Sequence, residues 1–375
     1  MEIKQLTLVN FRNYSSLDIS FNNRVNIFIG NNAQGKTTLL ESIYLLAISK
    51  SHKTYKDKEI IRFNEAYSKV NADLYKNDSL VNLEIIISSQ GKKVMINNVE
   101  KRKISEYIGV FNVVIFAPED LDIIKGEPTN RRKFLDVEIG QISSIYIYHL
   151  NQYNKVLKQR NEYLKQISHN KQVDYAYLDI LTEQLARHGE IITKKRINFI
   201  KKLNIYGNHL HKYISNFEEN LTIQYKSNYH LREEEVTFDN IFNVYKNNYQ
   251  KAITKGITQL GIQRDDIRFI VNNIDVSDFG SQGQQRTAAL AIKLSLIDFI
   301  KEETKYYPIV LLDDVLSELD DTRQTQLLDC IKDKVQTFVT TTNISGIKSD
   351  LVDKADIFYI ENAQIFKREG EHNGK

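Results

Sequence analysis

The chain of 375 residues has one cysteine, three prolines and no long apolar run. With Cys330 alone, neither a disulfide within the chain nor a zinc site of several cysteines is possible. Cys330 lies in a stretch of helical character, residues 324–333, and we expect a buried core thiol there. No segment approaches the roughly 18 apolar residues of a membrane-spanning helix, and the amino terminus lacks the apolar core of a signal peptide. We therefore expect a cytoplasmic protein.

An excess of charge of one sign is also missing. The 51 lysines and arginines nearly balance the 48 aspartates and glutamates, which leaves a formal net charge of +3. Net charge therefore gives no reason to infer nonspecific attraction to nucleic acid, and any DNA-binding surface must be a local patch. The chain is long enough for one large domain or two ordinary ones, each with a real core.

The local patterns divide the chain into three parts. Residues 1–117 contain short apolar runs separated by polar turns, whereas residues 119–255 are charged and helical, and strands alternate with helices again from residue 256. We predict an α/β domain built from residues 1–117 and 256–375, with a helical lobe, residues 118–255, inserted between them. Gly91 to Lys93 indicates a hairpin. The predicted strands are residues 25–29, 81–87, 113–116, 268–271, 309–312, 336–340 and 357–360.

The first chemical motif follows the apolar strand 25–29 and matches the pattern G-x-x-x-x-G-K-[ST]. Its glycines let backbone N–H groups point at phosphate oxygens, Lys36 adds a positive charge, and the hydroxyl of Thr37 suits Mg²⁺. Apolar residues behind the motif repeat at helical spacing, so the loop begins a helix whose dipole favours an anion. The predicted nucleotide-binding residues are Gly30, Asn31, Asn32, Ala33, Gln34, Gly35, Lys36, Thr37 and Thr38.

A second motif, residues 308–314, is a short apolar run that ends in two carboxylates. It predicts a buried strand that delivers Asp313 and Asp314 to its carboxyl end, where open α/β sheets bind ligands. Asp313 would then belong to the Mg²⁺ site, and Asp314 would be the general base that polarises the attacking water. Alone, the motif could equally be an ordinary junction of strand and loop; the phosphate-binding loop upstream favours the chemical interpretation.

The third motif comprises Ser281, Gln282, Gly283 and Gln284 and precedes an apolar-faced helix over residues 287–300. By itself it could be a polar N-cap. Its position 32 residues before Asp313, and the Ser-Glu-Leu-Asp run that follows Asp314, make it resemble the signature motif of ABC ATPases. That resemblance implies a second anion site, which caps ATP bound to a partner protomer, and residues 315–320 resemble the loop that crosses the same interface.

Within the ABC class, the chain resembles the RecF family of bacterial DNA-repair proteins. Long-armed SMC proteins need hundreds of heptad residues, but only 277 positions separate Lys36 from Asp313. Transporter subunits lack an insertion of this size. The stretches that carry the resemblance run through most of the chain: residues 8–14, 30–37, 116–121, Gly126, 131–136, 264–266, 279–286 and 311–320.

The resemblance implies an ABC-type ATPase head with an inserted helical lobe, and a transient homodimer that holds ATP and Mg²⁺. It further implies weak, DNA-stimulated hydrolysis, action at single-strand gaps on single-stranded and duplex DNA, loading of RecA with RecO and RecR, and support of replication and the SOS response. Gln263 departs from the family, which usually has histidine there. Thr340 to Thr342 stand where transporters have a switch histidine; since threonine takes up no proton at neutral pH, we expect slow hydrolysis.

Candidate DNA contacts are less specific. A predicted helix carries two pairs of lysines that share a face, Lys194 with Lys201 and Lys195 with Lys202, and it also carries Arg196. This face could follow DNA phosphates, or it could be an ordinary solvated helix face. Lesser candidates are Arg131, Arg132, Lys133, Lys92 and Lys93. No base-reading motif is present, so binding should be sequence-tolerant. A rival hypothesis is an ABC ATPase coupled to a partner other than DNA; a nuclease lacks the further carboxylate cluster it would need.

Overall fold

The computed structural model describes residues 1–170, 172–343, 352 and 354–367. Within them the strands are β1 Glu2–Phe11, β2 Tyr14–Ser20, β3 Val25–Ile29, β4 Tyr67–Lys76, β5 Ser79–Ser88, β6 Gly91–Ile96, β7 Val99–Glu100, β8 Val113–Phe116, β9 Leu221–Lys226, β10 Asp266–Val271, β11 Ile274–Asp275, β12 Ile309–Asp313, β13 Thr337–Thr341, β14 Ala355–Glu361 and β15 Gln364–Lys367. The α-helices are α1 Lys36–Ile48, α2 Asp122–Lys125, α3 Pro128–Gly140, α4 Ser144–Asn170, α5 Tyr175–Ile214, α6 Phe238–Asn247, α7 Tyr249–Lys255, α8 Val276–Phe279, α9 Gln282–Thr304 and α10 Asp321–Ile331.

The chain divides by its contacts into two compact units. Unit 1 is Met1–Asp120 with Leu296–Lys375, and unit 2 is Leu121–Ser295. The expected boundary at residue 256 thus moves to residue 296, because β10 pairs with β9 along its whole length and keeps its neighbourhood in unit 2. The inserted lobe is also less purely helical than expected, since it contains the antiparallel sheet β11-β10-β9.

Unit 1 is built from two six-stranded sheets. One is antiparallel, in the order β2-β1-β4-β5-β6-β7, and the other has the order β15-β14-β3-β13-β12-β8. In the second sheet every pairing is parallel except that of β14 with β15, and β3 lies between β13 and β14. The carboxyl ends of β3, β12 and β13 therefore meet at one edge, which is where parallel sheets bind ligands.

Helix α1 explains how the two sheets form one core. It contacts β8, β12 and β13 of the second sheet and also β4 and β5 of the antiparallel sheet. Its residues from Leu39 to Ile48 are all buried, as expected for a helix covered on every side. The helix is thus fixed in unit 1. Its N-terminus lies at the edge where β12 and β13 end.

Unit 2 is organised around its two long helices. Helix α5 spans 40 residues and packs against α4, and it also contacts α6 and β9. Its buried leucines and isoleucines recur at helical spacing, whereas most of its lysines are exposed. Asp174 caps the helix by accepting a hydrogen bond from the backbone N–H of Tyr177 at 3.0 Å. Helix packing therefore supplies most of this unit's core.

The local predictions fare well against this fold. Strands 25–29 and 113–116 coincide with β3 and β8, and the other five lie within or one residue from β5, β10, β12, β13 and β14. The hairpin exists, but its turn is at residues 89–90 and Gly91 already pairs with Ser88. Cys330 is half-buried on α10, so the expected fully buried thiol is wrong. Among the described helices, none is long and apolar enough to cross a membrane.

Candidate nucleotide-binding site

The loop between β3 and α1 has the backbone that a phosphate-binding loop requires. Ala33 and Gly35 have positive φ angles of 66° and 113°, and α1 begins at Lys36. A Cβ atom at Gly30 would lie 2.4 Å from the carbonyl oxygen of Ile360, so only glycine fits there. Asn31, Asn32 and Ala33 are exposed, and Thr37 and Thr38 are half-buried on the first turn of the helix. The loop therefore presents a helix N-terminus to an anion.

Contacts from distant parts of the chain hold this loop. The hydroxyl of Tyr14 donates to the carbonyl oxygen of Gly35 at 3.1 Å. On the other side, the backbone N–H of Asn362 donates to the side-chain oxygen of Gln34 at 2.6 Å, and that of Ala363 donates to the Gln34 carbonyl at 3.0 Å. Because these partners lie far apart in sequence, the motif alone could not predict them. They hold Gln34 in a fixed position within the loop.

Lys36 is buried but is not neutralised by a close carboxylate. Its side chain is 4% exposed, and its ammonium group donates to the carbonyl oxygens of Gly30 at 2.8 Å and Asn31 at 3.2 Å. The nearest carboxylate oxygen, on Asp314, is 3.9 Å away. A buried cation satisfied by neutral carbonyls retains its positive field for an incoming phosphate.

Thr37, Asp313 and Thr340 converge at the carboxyl ends of β12 and β13. Both threonine hydroxyls donate to Oδ1 of Asp313, Thr37 at 2.8 Å and Thr340 at 2.9 Å. Burial raises the pKa of Asp313, and the hydrogen bond from Thr37 is the largest opposing influence. A hydroxyl beside a carboxylate is the hard oxygen set that Mg²⁺ binds. The chemistry of these two side chains therefore fits the metal assigned to Thr37 and Asp313 from the sequence.

Asp314 leaves the strand in an unusual conformation. Its φ of 53° is in the left-handed region, and its backbone N–H donates to the hydroxyl of Thr340 at 2.9 Å. The side chain is 34% exposed, much more than that of Asp313 at 7%. Thr340 thus holds the carboxylate of one aspartate and the backbone of the next. The two aspartates therefore lie in different environments, one buried and one about one-third exposed.

Sequence reasoning missed the positive contribution of Thr340 and did not single out Lys53. The sequence marks Thr340 only as a residue unable to take up a proton, but its parallel pairing with Asp313 places its hydroxyl beside both aspartates. Lys53 follows α1, and its ammonium group lies 4.0 Å from Oδ2 of Asp313. Nothing in a local motif marks Lys53, because its position depends on the chain's return after the helix.

The signature-like motif lies in unit 2 at the start of α9. The hydroxyl of Ser281 accepts the backbone N–H of Gln284 at 3.2 Å, and the side chain of Gln284 accepts the N–H of Ser281 at 3.1 Å. This reciprocal pair is a capping box, so Ser281 is an N-cap residue, as one of the two interpretations of the motif expected. Ser281, Gln282 and Gly283 are nevertheless exposed, which leaves the helix N-terminus accessible.

The candidate DNA stripe on α5 is only partly available. Lys194 pairs with Glu190 at 2.7 Å and Lys201 pairs with Glu233 at 2.5 Å, and both lysines are exposed, as is Lys195. Lys92, in unit 1, donates to the carbonyl oxygen of Ser49 and pairs with Asp57 at 2.9 Å. Lys93 is 60% exposed.

Arg196 does not belong to any surface stripe, because it is buried in an ion network. We call the group of Arg196, Asp136, Asp265, Tyr146 and Tyr225 the Arg196 cluster. The guanidinium of Arg196 donates to Asp136 and to Asp265, each at 2.8 Å, and to the hydroxyl of Tyr146 at 2.9 Å. The hydroxyl of Tyr225 donates to the carboxylate of Asp265. Arg196 therefore takes no part in the exposed lysine stripe, although it follows Lys194 and Lys195 directly in the sequence.

The other arginine motif of unit 2 is structural as well. Arg131 is buried and pairs with Asp266 at 2.6 Å, and Arg132 donates to the backbone oxygen of Asp265 at 3.0 Å. Gln263, which stands in place of the usual histidine, accepts a hydrogen bond from the hydroxyl of Tyr153 at 2.6 Å. These contacts join α3 and α4 to the segment around the start of β10, so Arg131 and Arg132 serve the packing of unit 2.

Comparisons with known proteins agree with this architecture. A family profile described as "RecF/RecN/SMC N terminal domain" matches residues 2–364. The DNA replication and repair protein RecF of Enterococcus faecalis is 48% identical over 97% of this chain and 98% of that protein. The protein of the same name from Pediococcus pentosaceus is 46% identical over 99% of this chain and its entire length.

Solved structures give the same result. The recombination mediator protein RecF with ATP, from the RecFOR pathway, superposes with a TM-score of 0.90 at 35% identity and covers 97% of both chains. An Smc head bound to the C-terminal winged-helix domain of ScpA superposes with a TM-score of 0.54 at 15% identity, over 98% of this chain and 97% of that one. The second likeness concerns the fold alone.

Proposed function

Because the chain belongs to the RecF group of the RecF/RecN/SMC N-terminal domain family, we propose that it is an ATP-dependent DNA-binding protein of recombinational repair. Its ATPase class and its likeness to an ATP-bound RecF support ATP as the nucleotide. The convergence of the phosphate-binding loop with Asp313 and Asp314 at one sheet edge is the observation that carries the proposal.

Each residue at this edge has a distinct task. The loop from Gly30 to Gly35 and the ammonium group of Lys36 bind the ATP phosphates, while Thr37 and Asp313 hold Mg²⁺. When bound, Mg²⁺ neutralises developing charge on the phosphate oxygens. Asp314 accepts a hydrogen bond from the attacking water and orients it, a role for which its exposed carboxylate is suited. Thr340 is a positioning residue, because its hydroxyl bonds to the carboxylate of Asp313 and to the backbone N–H of Asp314.

Hydrolysis should be slow. Thr340 to Thr342 occupy the position of the transporter switch histidine, and a threonine hydroxyl cannot take up a proton at neutral pH. The carboxylate of Asp314 must then complete the site without that proton acceptor. ATP binding would set the duration of a DNA-bound state, and hydrolysis would end it.

The signature-like motif supports a site completed by two protomers. Exposed Ser281 and Gly283 at the N-terminus of α9 would cap the γ-phosphate bound to a second copy of the chain. ATP would then join two copies into a transient homodimer, with residues 315–320 crossing between them. The capping box does not prevent this role, since the Ser281 hydroxyl still has a proton to donate.

The biological setting is carried over from the RecF group. We propose action at single-strand gaps, where the protein binds single-stranded and duplex DNA and helps RecO and RecR to load RecA. This activity would support replication and the SOS response in the cytoplasm. The similar RecF solved with ATP belongs to the RecFOR pathway, which supports these partners.

DNA-dependent ATPase activity tests the proposal against the rival, an ABC ATPase that serves another partner. The parent protein should hydrolyse ATP weakly, and gapped or duplex DNA should stimulate the rate. The Asp314→Asn variant, measured with the same DNA, controls for contaminating ATPases. A rate that no DNA structure changes would favour the rival.

The remaining DNA candidates on α5, Lys195 and Lys202, can be tested by salt dependence. Each phosphate contact on duplex DNA contributes about 0.9 to the slope of log affinity against log salt. Changing both lysines to glutamine should therefore flatten the slope by about 1.8 if both contact phosphates. A second variant changes Lys194 and Lys201, which pair with Glu190 and Glu233, and an equal flattening there would extend the contact surface to all four lysines.

A further inference from the structure

Arg160 is a buried cation without a counter-ion in unit 2. The residue is 1% exposed on α4, and its guanidinium donates to the hydroxyls of Thr182 at 3.1 Å and Thr258 at 2.7 Å. Among the described residues no carboxylate pairs with it. A buried guanidinium remains charged, and an unpaired buried charge is costly unless other groups compensate it. Arg160 therefore differs from the buried Arg131 and Arg196, which each bond directly to aspartate.

Two tyrosines contact this guanidinium but do not neutralise it. Its central carbon lies 5.4 Å from the ring centre of Tyr245 and 5.8 Å from that of Tyr249, which are cation–π distances. Burial raises the pKa of both phenols, so both stay neutral at physiological pH. The two hydrogen bonds use two of the five N–H groups of Arg160, which leaves three donors for another acceptor.

A narrow slot lies between α4, α7 and residues 258–260, and Arg160 forms part of its wall. Arg160, Thr258 and Asn248 line it with Lys251, which is exposed at its rim, and no carboxylate is among its lining residues. The cavity volume of the slot is about 10 Å³, which is enough room for one water-sized group. A single oxygen atom fits this space, whereas a complete phosphate does not enter it.

We propose that this slot binds one oxygen of a phosphate group, with Arg160 at its floor and Lys251 at its rim. The rest of the phosphate stays outside the slot, so the ligand is either free phosphate or a phosphate of a nucleic-acid backbone. The oxygen supplies the negative charge that the protein does not provide to Arg160. This assignment needs neither the ATP site nor the homodimer.

Thermal unfolding in phosphate tests the site. Saturating ADP and Mg²⁺ are added so that the phosphate-binding loop is already occupied. The reference samples contain chloride in place of phosphate at the same ionic strength. Phosphate should raise the melting temperature of the parent, and Lys251→Gln should need about tenfold more phosphate, because one charge-assisted contact is lost. Lys255→Gln, one turn further along α7 and not in the slot, is the matched control and should respond like the parent. Equal responses of the parent and Lys251→Gln would overturn the proposal.

Arg160→Met should abolish the response that the slot contributes. If that variant does not fold, the comparison of Lys251→Gln with Lys255→Gln still decides the question. A DNA titration of the same two variants distinguishes the sources of phosphate. Weaker DNA binding by Lys251→Gln alone assigns the slot to the DNA backbone, and unchanged DNA binding with a reduced phosphate response assigns it to free phosphate.

Discussion

The nucleotide site of unit 1 and the Arg196 cluster of unit 2 use the same residue types in opposite ways. Lys36 donates to backbone carbonyls and lies 3.9 Å from the nearest carboxylate, and Asp313 accepts hydrogen bonds from two threonines. Arg196 instead bonds directly to Asp136 and Asp265. Buried charges that bond directly to one another are costly to separate and unavailable to a ligand, whereas charges held mainly by neutral groups remain available.

The largest expected effect on this comparison is catalytic. Asp314→Asn removes the proposed general base but keeps the side-chain shape, so the turnover rate should fall by about 10²- to 10⁴-fold while ATP still binds. Single-turnover hydrolysis and an ATP titration measure the two separately. A variant that hydrolyses ATP like the parent would exclude Asp314 from this role.

The same variant should accumulate the proposed dimer. ATP that is not hydrolysed keeps two copies joined, so sedimentation of Asp314→Asn should give a dimer with ATP and a monomer without it. Adding Ser281→Arg should restore the monomer, because it places bulk and positive charge at the α9 N-terminus. Equal mass with and without ATP would contradict a shared site.

The Arg196 cluster should matter for stability rather than for ATP binding. Arg196→Ala leaves two aspartates without their cation, so the free energy of unfolding should fall by about 3–5 kcal/mol. Lys195→Ala, at the neighbouring exposed position, should change it by about 0.5 kcal/mol or less. Denaturant unfolding followed by circular dichroism gives both values. A small effect at Arg196 would mean that the cluster is not the structural element inferred from its contacts.

Lys36 should show the converse behaviour. Lys36→Ala removes the cation that contacts the phosphates, so ATP should bind at least about 100-fold more weakly, as expected for a strong charge-assisted contact. Stability without nucleotide should change little in comparison with Arg196→Ala. Equilibrium titration with ATP decides the point, and parent-like affinity would show that the loop is misassigned.

Local sequence patterns predicted the elements of unit 1 better than the roles of charged residues in unit 2. Strand β3, the loop and helix α1 follow from one contiguous motif, so Lys36 and Thr37 were predictable. Arg196 lies beside two lysines in the sequence, and only the packing of α5 places its side chain inward. The contacts of Thr340 and Lys53 depend on parallel pairing and on a returning loop, which no local spacing encodes.

A smaller effect is expected from the ionisation of the buried Asp313, which lowers the stability of the folded protein. Burial raises the pKa of Asp313, so the folded protein binds this proton more tightly than the unfolded chain does. Its negative charge therefore lowers stability above the folded-state pKa, and this loss disappears as the pH falls below the unfolded value of about 3.9. Without Mg²⁺ and nucleotide, Asp313→Asn should melt higher than the parent at pH 7, by a margin that shrinks toward pH 4. A lower melting temperature at pH 7 would contradict this account.

DNA affinity with and without ATP tests the central claim most directly. If ATP joins two copies, phosphate contacts on both act together, so Asp314→Asn should bind gapped DNA more tightly with ATP than without it, at a fixed salt concentration. Duplexes of unrelated sequence should give similar affinities. Fluorescence anisotropy of labelled DNA measures this, with Lys36→Ala as the control that ATP cannot affect. DNA affinity that ATP leaves unchanged in Asp314→Asn would contradict ATP-gated DNA binding.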